Sequence, residues 1–294
     1  ASLHKVPGGV VCALDEGAWA LVSGEGRVVS RGVLPEAPCA VHRCEDALIF
    51  CLPSGLILAK SLHDGAALFR RRAGARLDAA LLQGGLLLCL VRGRAEARAR
   101  KPASRVLVAL DAATGAPAWE QPLAGAADPR SLVPFGDRVA LLCGGSVLAF
   151  RARDGAPRFS APLGAEGFHD GAFLAVADEL DDAARAAARS PRGPGLIVAG
   201  RGGAALRLDE RGARIWSLPP SGDAAPFAPV VARGVVLLAR EGASLHDAAE
   251  GLPLARLAEA APRAAALSAD LAVALLDASG SLHLHRLAAH LSVV

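Results

Sequence analysis

Val108-Ala109-Leu110-Asp111-Ala112-Ala113-Thr114-Gly115-Ala116-Pro117-Ala118-Trp119 reads as a short apolar strand, an Asp-containing turn closed by Gly, and a second strand with an aromatic residue four positions after the Gly. Leu206-Arg207-Leu208-Asp209-Glu210-Arg211-Gly212-Ala213-Arg214-Ile215-Trp216 repeats the pattern. The same offset joins Gly65 to Phe69 and Gly155 to Phe159, whereas Gly26 and Gly251 keep the turn with Ser30 and Ala255 in the aromatic position. These six glycines lie 39, 50, 40, 57 and 39 residues apart. A base period near 39 is therefore interrupted in the third and fifth units.

A second turn series, Gly17, Gly55, Gly145, Gly203, Gly242 and Gly280, keeps the period with uninterrupted steps of 38, 39 and 38. Two independent series with one period divide each unit into four short strands; in the fourth unit they are Ser131–Phe135, Arg138–Cys143, Ser146–Arg151 and Ala156–Ala161. Four strands per repeat of this length predict an all-β, seven-bladed β-propeller of four-stranded antiparallel blades. The blades are expected at 2–34, 39–73, 76–124, 128–164, 166–222, 227–260 and 262–294, within a single domain spanning 1–294. Leu291–Val294 or Leu3–Val6 is expected to complete a sheet where the first and last blades meet, since closure removes exposed strand edges.

Composition agrees. The chain has 294 residues, 52% hydrophobic and 4% aromatic, with Gly 32 and Pro 19, too many for a helical bundle. A net charge of +3 provides no global field of the kind nucleic-acid binders carry, so nucleic acid is not an expected partner. Mean hydropathy of +0.35 is raised by Ala and Leu. The longest apolar runs, such as Leu86–Val91, fall far short of the roughly 18–20 residues of a spanning helix, so no transmembrane segment is read and the chain is expected to be soluble. Lys occurs only at Lys5, Lys60 and Lys101, and Asn is absent, the codon signature of a GC-rich bacterial genome. No signal peptide is visible after Ala1, and a processed form or a piece of a longer protein both remain open.

The stretch Ala109–Trp119 resembles the A-x-D-x-x-T-G-x-x-x-W repeat of the pyrroloquinoline-quinone-like propellers, a quinoprotein-type family with WD-like blades. The third unit matches in full, the fourth and fifth in part, and the resemblance covers the whole chain at the level of period. It implies that the aromatic residue packs between adjacent blades. Phe69, Trp119, Phe159 and Trp216, with Gly65, Gly115, Gly155, Gly212 and Asp111, are then structural repeat positions, and Trp119 and Trp216 should be largely buried. The quinone enzymes of the family are eight-bladed and use adjacent cysteines beside the cofactor, with acidic and amide ligands for calcium. This chain has seven units, no adjacent cysteines and no Asn, so it is similar to the cofactor-free branch. No cofactor, no catalytic residue and no enzymatic activity are expected.

Cys12, Cys51, Cys89 and Cys143 fall in the second strand of blades one to four, where Ala199, Ala239 and Ala274 stand in the last three. Small apolar residues are needed where blades crowd, so these thiols are expected reduced and buried. Unpaired thiols favour a reducing, cytoplasmic compartment over the periplasm. Cys39-x4-Cys44 with His42 is a candidate for a soft metal or a local disulfide, but supplies only three ligands. His283 and His285, two apart on one strand, share a face and form the other metal candidate, with a solvated strand the blander reading.

Two insertions set this propeller apart. In blade three, Arg92-Gly93-Arg94-Ala95-Glu96-Ala97-Arg98-Ala99-Arg100-Lys101 lengthens the loop between second and third strands with five basic residues and one acid. In blade five, 179–192 reads as a short helix, acidic early and basic late. Arg92, Arg94, Arg98, Arg100 and Lys101 are the expected contacts to an acidic partner surface, and Ala183, Ala186 and Ala187 the docking face of the helix. The function expected is a non-catalytic interaction platform, a scaffold subunit whose partners are other proteins; no small-molecule ligand is indicated. The alternatives are a quinone-dependent enzyme and a ligand-sensing propeller domain of a longer receptor or kinase.

Overall fold

A computed structural model describes the chain apart from residues 93–104, 165–167, 169–171, 178–193, 222–227, 233–234, 239, 241, 259–263, 268–271, 277–278, 280 and 287–294. Alternating apolar residues between glycine turns produce a succession of meanders, each strand pairing antiparallel with the next. Blade one is β1 (Ser2–Val6), β2 (Gly9–Ala13), β3 (Ala18–Ser23) and β4 (Val28–Val33); blade two is β5 (Ala40–Cys44), β6 (Ala47–Cys51), β7 (Leu56–Ser61) and β8 (Ala67–Arg72). Blade three is β9 (Arg76–Gln83), β10 (Leu86–Arg92), β11 (Arg105–Asp111) and β12 (Pro117–Pro122); blade four is β13 (Val133–Phe135), β14 (Arg138–Cys143), β15 (Ser146–Arg151) and β16 (Pro157–Pro162). Blade five is β17 (Phe173–Ala177), β18 (Gly195–Ala199), β19 (Ala205–Leu208) and β20 (Arg214–Leu218); blade six is β21 (Val230–Ala232), β22 (Val235–Leu238), β23 (Ala243–Asp247) and β24 (Pro253–Ala258). Blade seven contributes β25 (Ala264–Leu267), β26 (Ala272–Leu276) and β27 (Leu282–Arg286). The chain is an all-β, seven-bladed propeller of four-stranded antiparallel blades, with three strands of the last blade among the described residues.

The chain divides into two compact units, 1–132 with 151–156, and 133–150 with 157–294. In the first unit the leading strands β1, β5 and β9 are neighbours; in the second, β13, β17, β21 and β25 follow one another in the same way. The core is divided into layers between successive sheets. Trp19, Leu21, Leu48 and Phe50 fill the layer between blades one and two, and Ile49, Ile57, Leu87 and Cys89 the layer between blades two and three. In the second unit, Leu142, Val147, Leu196 and Leu206 lie between blades four and five, Ile197, Val236 and Leu238 between five and six, and Leu237, Leu245, Val273 and Leu275 between six and seven. The middle strands are buried on both faces: all five residues of β6 and of β18 are buried.

The described members of both glycine series land on left-handed turns, the first with φ between +69° at Gly155 and +81° at Gly212, the second with φ of +85° at Gly17 and +77° at Gly55 and Gly145, while Gly280 lies outside the described residues. Two details differ from the expectations. β13 begins at Val133 because Pro129–Ser131 forms a 3-10 turn capped by the Asp128 side chain. Ser2–Val6 pairs with Gly9–Ala13 inside its own blade, so it does not complete another sheet, while Leu291–Val294 lies outside the described residues. The helix expected over 179–192 also lies outside them; among the described residues helix is confined to two 3-10 turns.

Candidate functional site

The repeat positions build the seams between blades. At each of four seams an aromatic ring of the outer strand covers the turn glycine of the next blade so closely that a Cβ there would collide with it. The approach would be 2.6 Å for Gly115 to Phe69, 2.6 Å for Gly155 to Trp119, 2.5 Å for Gly212 to Phe159 and 2.8 Å for Gly251 to Trp216. The indole N–H of Trp119 donates to the Ala152 carbonyl at 2.9 Å, and that of Trp216 to the Ala248 carbonyl at 3.1 Å. Asp111 Oδ1 holds its turn by accepting from the Thr114 amide at 2.8 Å and the Thr114 hydroxyl at 2.7 Å. The expectation of largely buried tryptophans needs correction: Trp119 and Trp216 are half-buried, because the outer strand leaves one side of the ring at the rim. The buried tryptophan is Trp19, on β3, which lies 4.7 Å from the Phe50 ring centroid. Gly65 keeps a φ of +70°, but nothing stands within 4 Å of its missing Cβ, since Ser30 occupies the aromatic position of blade one.

The basic insertion of blade three has an anchored base. Its two stems, Arg92 at the end of β10 and Arg105 at the start of β11, are cross-strand partners. Both donate from Nε to Asp78 Oδ2, at 3.1 and 2.9 Å, while Arg76 Nε lies 3.5 Å from Asp78 Oδ1. Arg105 also donates to the Ala127 carbonyl. The Asp78 side chain is only 5% exposed on the leading strand β9, whereas those of Arg76 and Arg92 are 62% and 43% exposed. Burial pushes the Asp78 carboxyl up, but the hydrogen bonds and charges of Arg92 and Arg105 outweigh it and hold it below the ordinary carboxylate value. Three guanidinium groups on one carboxylate leave the loop base positively charged. Arg92, expected as a partner contact, is therefore a stem of the loop. Arg94, Arg98, Arg100 and Lys101, and Ala183, Ala186 and Ala187 of the second insertion, lie outside the described residues. Asp78, Arg76 and Arg105 escaped the sequence reading; the signal was a lone acid in an otherwise apolar strand and an arginine at each end of the insertion.

The metal candidates do not assemble. His42 and Cys44 alternate along β5, while Cys39 precedes the strand and its thiol donates to the Cys51 carbonyl at 3.2 Å. Burial pushes the His42 imidazole down, against the raising effect of the Ala80 backbone, and among the described residues its Nε2 has no hydrogen-bond partner. His283 and His285 face Leu275 and Val273 in the β26–β27 register. Among the described residues no three His, Cys, Asp or Glu side chains are grouped to hold a metal ion. None of the six cysteines forms a disulfide; Cys51, Cys89 and Cys143 are buried, with their second-strand positions as expected. Cys12 is only partly buried, since Val11 and Ala13 take the core side of β2. His246, a buried polar residue in β23, is satisfied by the Ser244 hydroxyl at 2.9 Å and the Gly251 carbonyl at 3.2 Å, and so pins a turn.

No protein of curated function matches the sequence. Among solved structures, BamB from Moraxella catarrhalis superposes with a TM-score of 0.64 at 15% identity, over 96% of this chain and 80% of that one. Saccharomyces cerevisiae Sqt1 superposes with a TM-score of 0.65 at 10% identity, over 97% and 85%. At these identities the likeness is one of fold. In sequence, residues 7–179, more than half the chain and nearly all of the first unit, match the family described as outer membrane protein assembly factor BamB. With its glycine-docked aromatic seams and that match, the chain belongs to this family of propellers with pyrroloquinoline-quinone-like repeats.

Proposed function

We propose that the chain is a non-catalytic interaction platform, a subunit that holds a protein partner within a larger assembly and meets it through the basic loop of blade three. The observation that carries this reading is the Asp78 clamp. One nearly buried carboxylate ties both stems of the loop to the leading strand, so the loop is presented from a fixed base while the surplus guanidinium charge stays at the surface. A loop built only to connect β10 to β11 needs no such anchor; the corresponding turns of the other blades, among the described residues, are closed by a glycine. An acidic partner surface is the complement of such a base, and its attraction is screened over roughly 8–10 Å at physiological salt. The description of the matched family, an assembly factor, is consistent with a role in bringing proteins together. The test replaces Arg94, Arg98, Arg100 and Lys101 by Gln and compares partner recovery from the native source with that of the unaltered chain. Recovery should fall several-fold with the melting temperature unchanged, and the unaltered chain should release the same partner as salt is raised. Equal recovery by both chains, or retention insensitive to salt, would place recognition elsewhere.

A further inference from the structure

We infer that the seam between blades one and two is an open aromatic dock that accepts a partner's aromatic side chain with a carboxylate beside it. The inference rests on the platform reading but names a different surface, within the first unit. Cross-strand pairing shows how three of the four closed seams are built: Phe69 stands opposite Ala59, Trp119 opposite Ala109 and Phe159 opposite Ala149, a large ring over a small neighbour on one face, while in the fourth Trp216 stands opposite Arg207. Blade one reverses the sizes, with Ser30 opposite Leu21. Leu21 is 2% exposed in the layer between blades one and two, against which Leu62 also packs, so the inner part of the seam is filled. The outer part is not, and Gly65 still offers the left-handed turn and the open space that a ring covers in four other seams.

The walls of this opening specify its occupant. Ser30 and Val28 line it from β4, Val28 being 60% exposed. Pairing places Arg70 opposite Leu58 and Arg72 opposite Leu56, on the face of β8 turned toward blade one, next to Leu68, which is 52% exposed. Arg72 is engaged with the Ser54 carbonyl at 2.8 Å, whereas the exposed Arg70 side chain has no hydrogen bond or ion pair among the described residues. A ring over Gly65 would cover Leu68 and Val28, and an acid next to it in the partner would meet Arg70. The Leu62 carbonyl stands where Ala152 and Ala248 accept an indole N–H, three residues before the turn glycine, which favours Trp among the aromatic residues. The outer edge of β4 has no pairing strand among the described residues, so an extended segment can lie along it.

The chain itself contains a segment of this chemistry, and it is the probe: a synthetic peptide of residues 115–122, Gly-Ala-Pro-Ala-Trp-Glu-Gln-Pro, titrated into the full chain with backbone amides followed by nuclear magnetic resonance. The expected result is a saturable shift centred on Gly65, Leu62 and Ser30. Binding should weaken about tenfold when the peptide's Trp is Ala, the order one aromatic contact supplies, and weaken with added salt or with Arg70→Gln. Ser30→Trp with Leu21→Ala would close the dock from within and should abolish the shifts; the Trp-to-Ala peptide on the unaltered chain needs no variant to fold. Shifts absent at millimolar peptide, located elsewhere, or the same for both peptides would overturn the inference. None of these outcomes bears on the basic loop, whose test stands separately.

Discussion

Asp78 is the residue on which the loop base depends. Its neutral isostere Asn keeps the shape but removes the charge that Arg92 and Arg105 share, leaving three guanidinium groups close together. Loss of a nearly buried, doubly hydrogen-bonded carboxylate from partly exposed partners should cost about 1–3 kcal/mol at neutral pH. The pH dependence follows from the direction of its shift. The folded carboxyl is held below the ordinary value, so its contribution is complete above the unfolded pKa and disappears as pH falls through the folded one. Thermal melts of the unaltered chain and Asp78→Asn should therefore differ by several degrees at neutral pH and converge only as the pH falls below the ordinary carboxylate range. Parallel pH profiles would show that Asp78 does not hold the stems. The sequence showed the lone acid and the arginines flanking the insertion but not their meeting: the partners Arg92 and Arg105 arrive from two other strands, and only the register brings them to Asp78.

At the scale of the element, the seams are the regularity that the sequence did disclose. The glycine spacing located the turns, and the ring four residues later located the contact, because both are local patterns fixed by backbone geometry and strand length. What the pattern concealed was the size exchange between third and fourth strands, Ala under Trp119 but Leu21 under Ser30, which depends on cross-strand pairing. It also concealed how much of each ring stays at the rim. Two glycines separate conformation from contact. Gly65 and Gly155 have φ of +70° and +69°, but only Gly155 lies under a ring, with Trp119 Cε3 at 2.6 Å from the position a Cβ would take. Gly65→Ala should cost about 1–2 kcal/mol for the left-handed conformation alone, and Gly155→Ala that amount plus about 2 kcal/mol more as the indole is displaced. Denaturant unfolding of the two variants measures the difference; equal losses would mean that the seam rings do not bear on their glycines.

For the whole molecule, seven repeated blades offer two kinds of place for recognition: the leading strands, which every blade contributes alike, and the places where the repeat is broken, an inserted loop or a seam without its ring. The leading strands of the first unit carry His4 and His42 but no grouped donors among the described residues, while the insertion of blade three stands on a dedicated anchor. Partners are proposed to be held by such departures from the repeat. Hydrogen exchange read by mass spectrometry, on the full chain alone and with the partner it recovers, tests this most directly. Exchange should slow across 93–104 and at the stems Arg92 and Arg105, with β1, β5 and β9 unchanged. Slowed exchange along β1, β5 and β9, with the loop exchanging at its free rate, would contradict it.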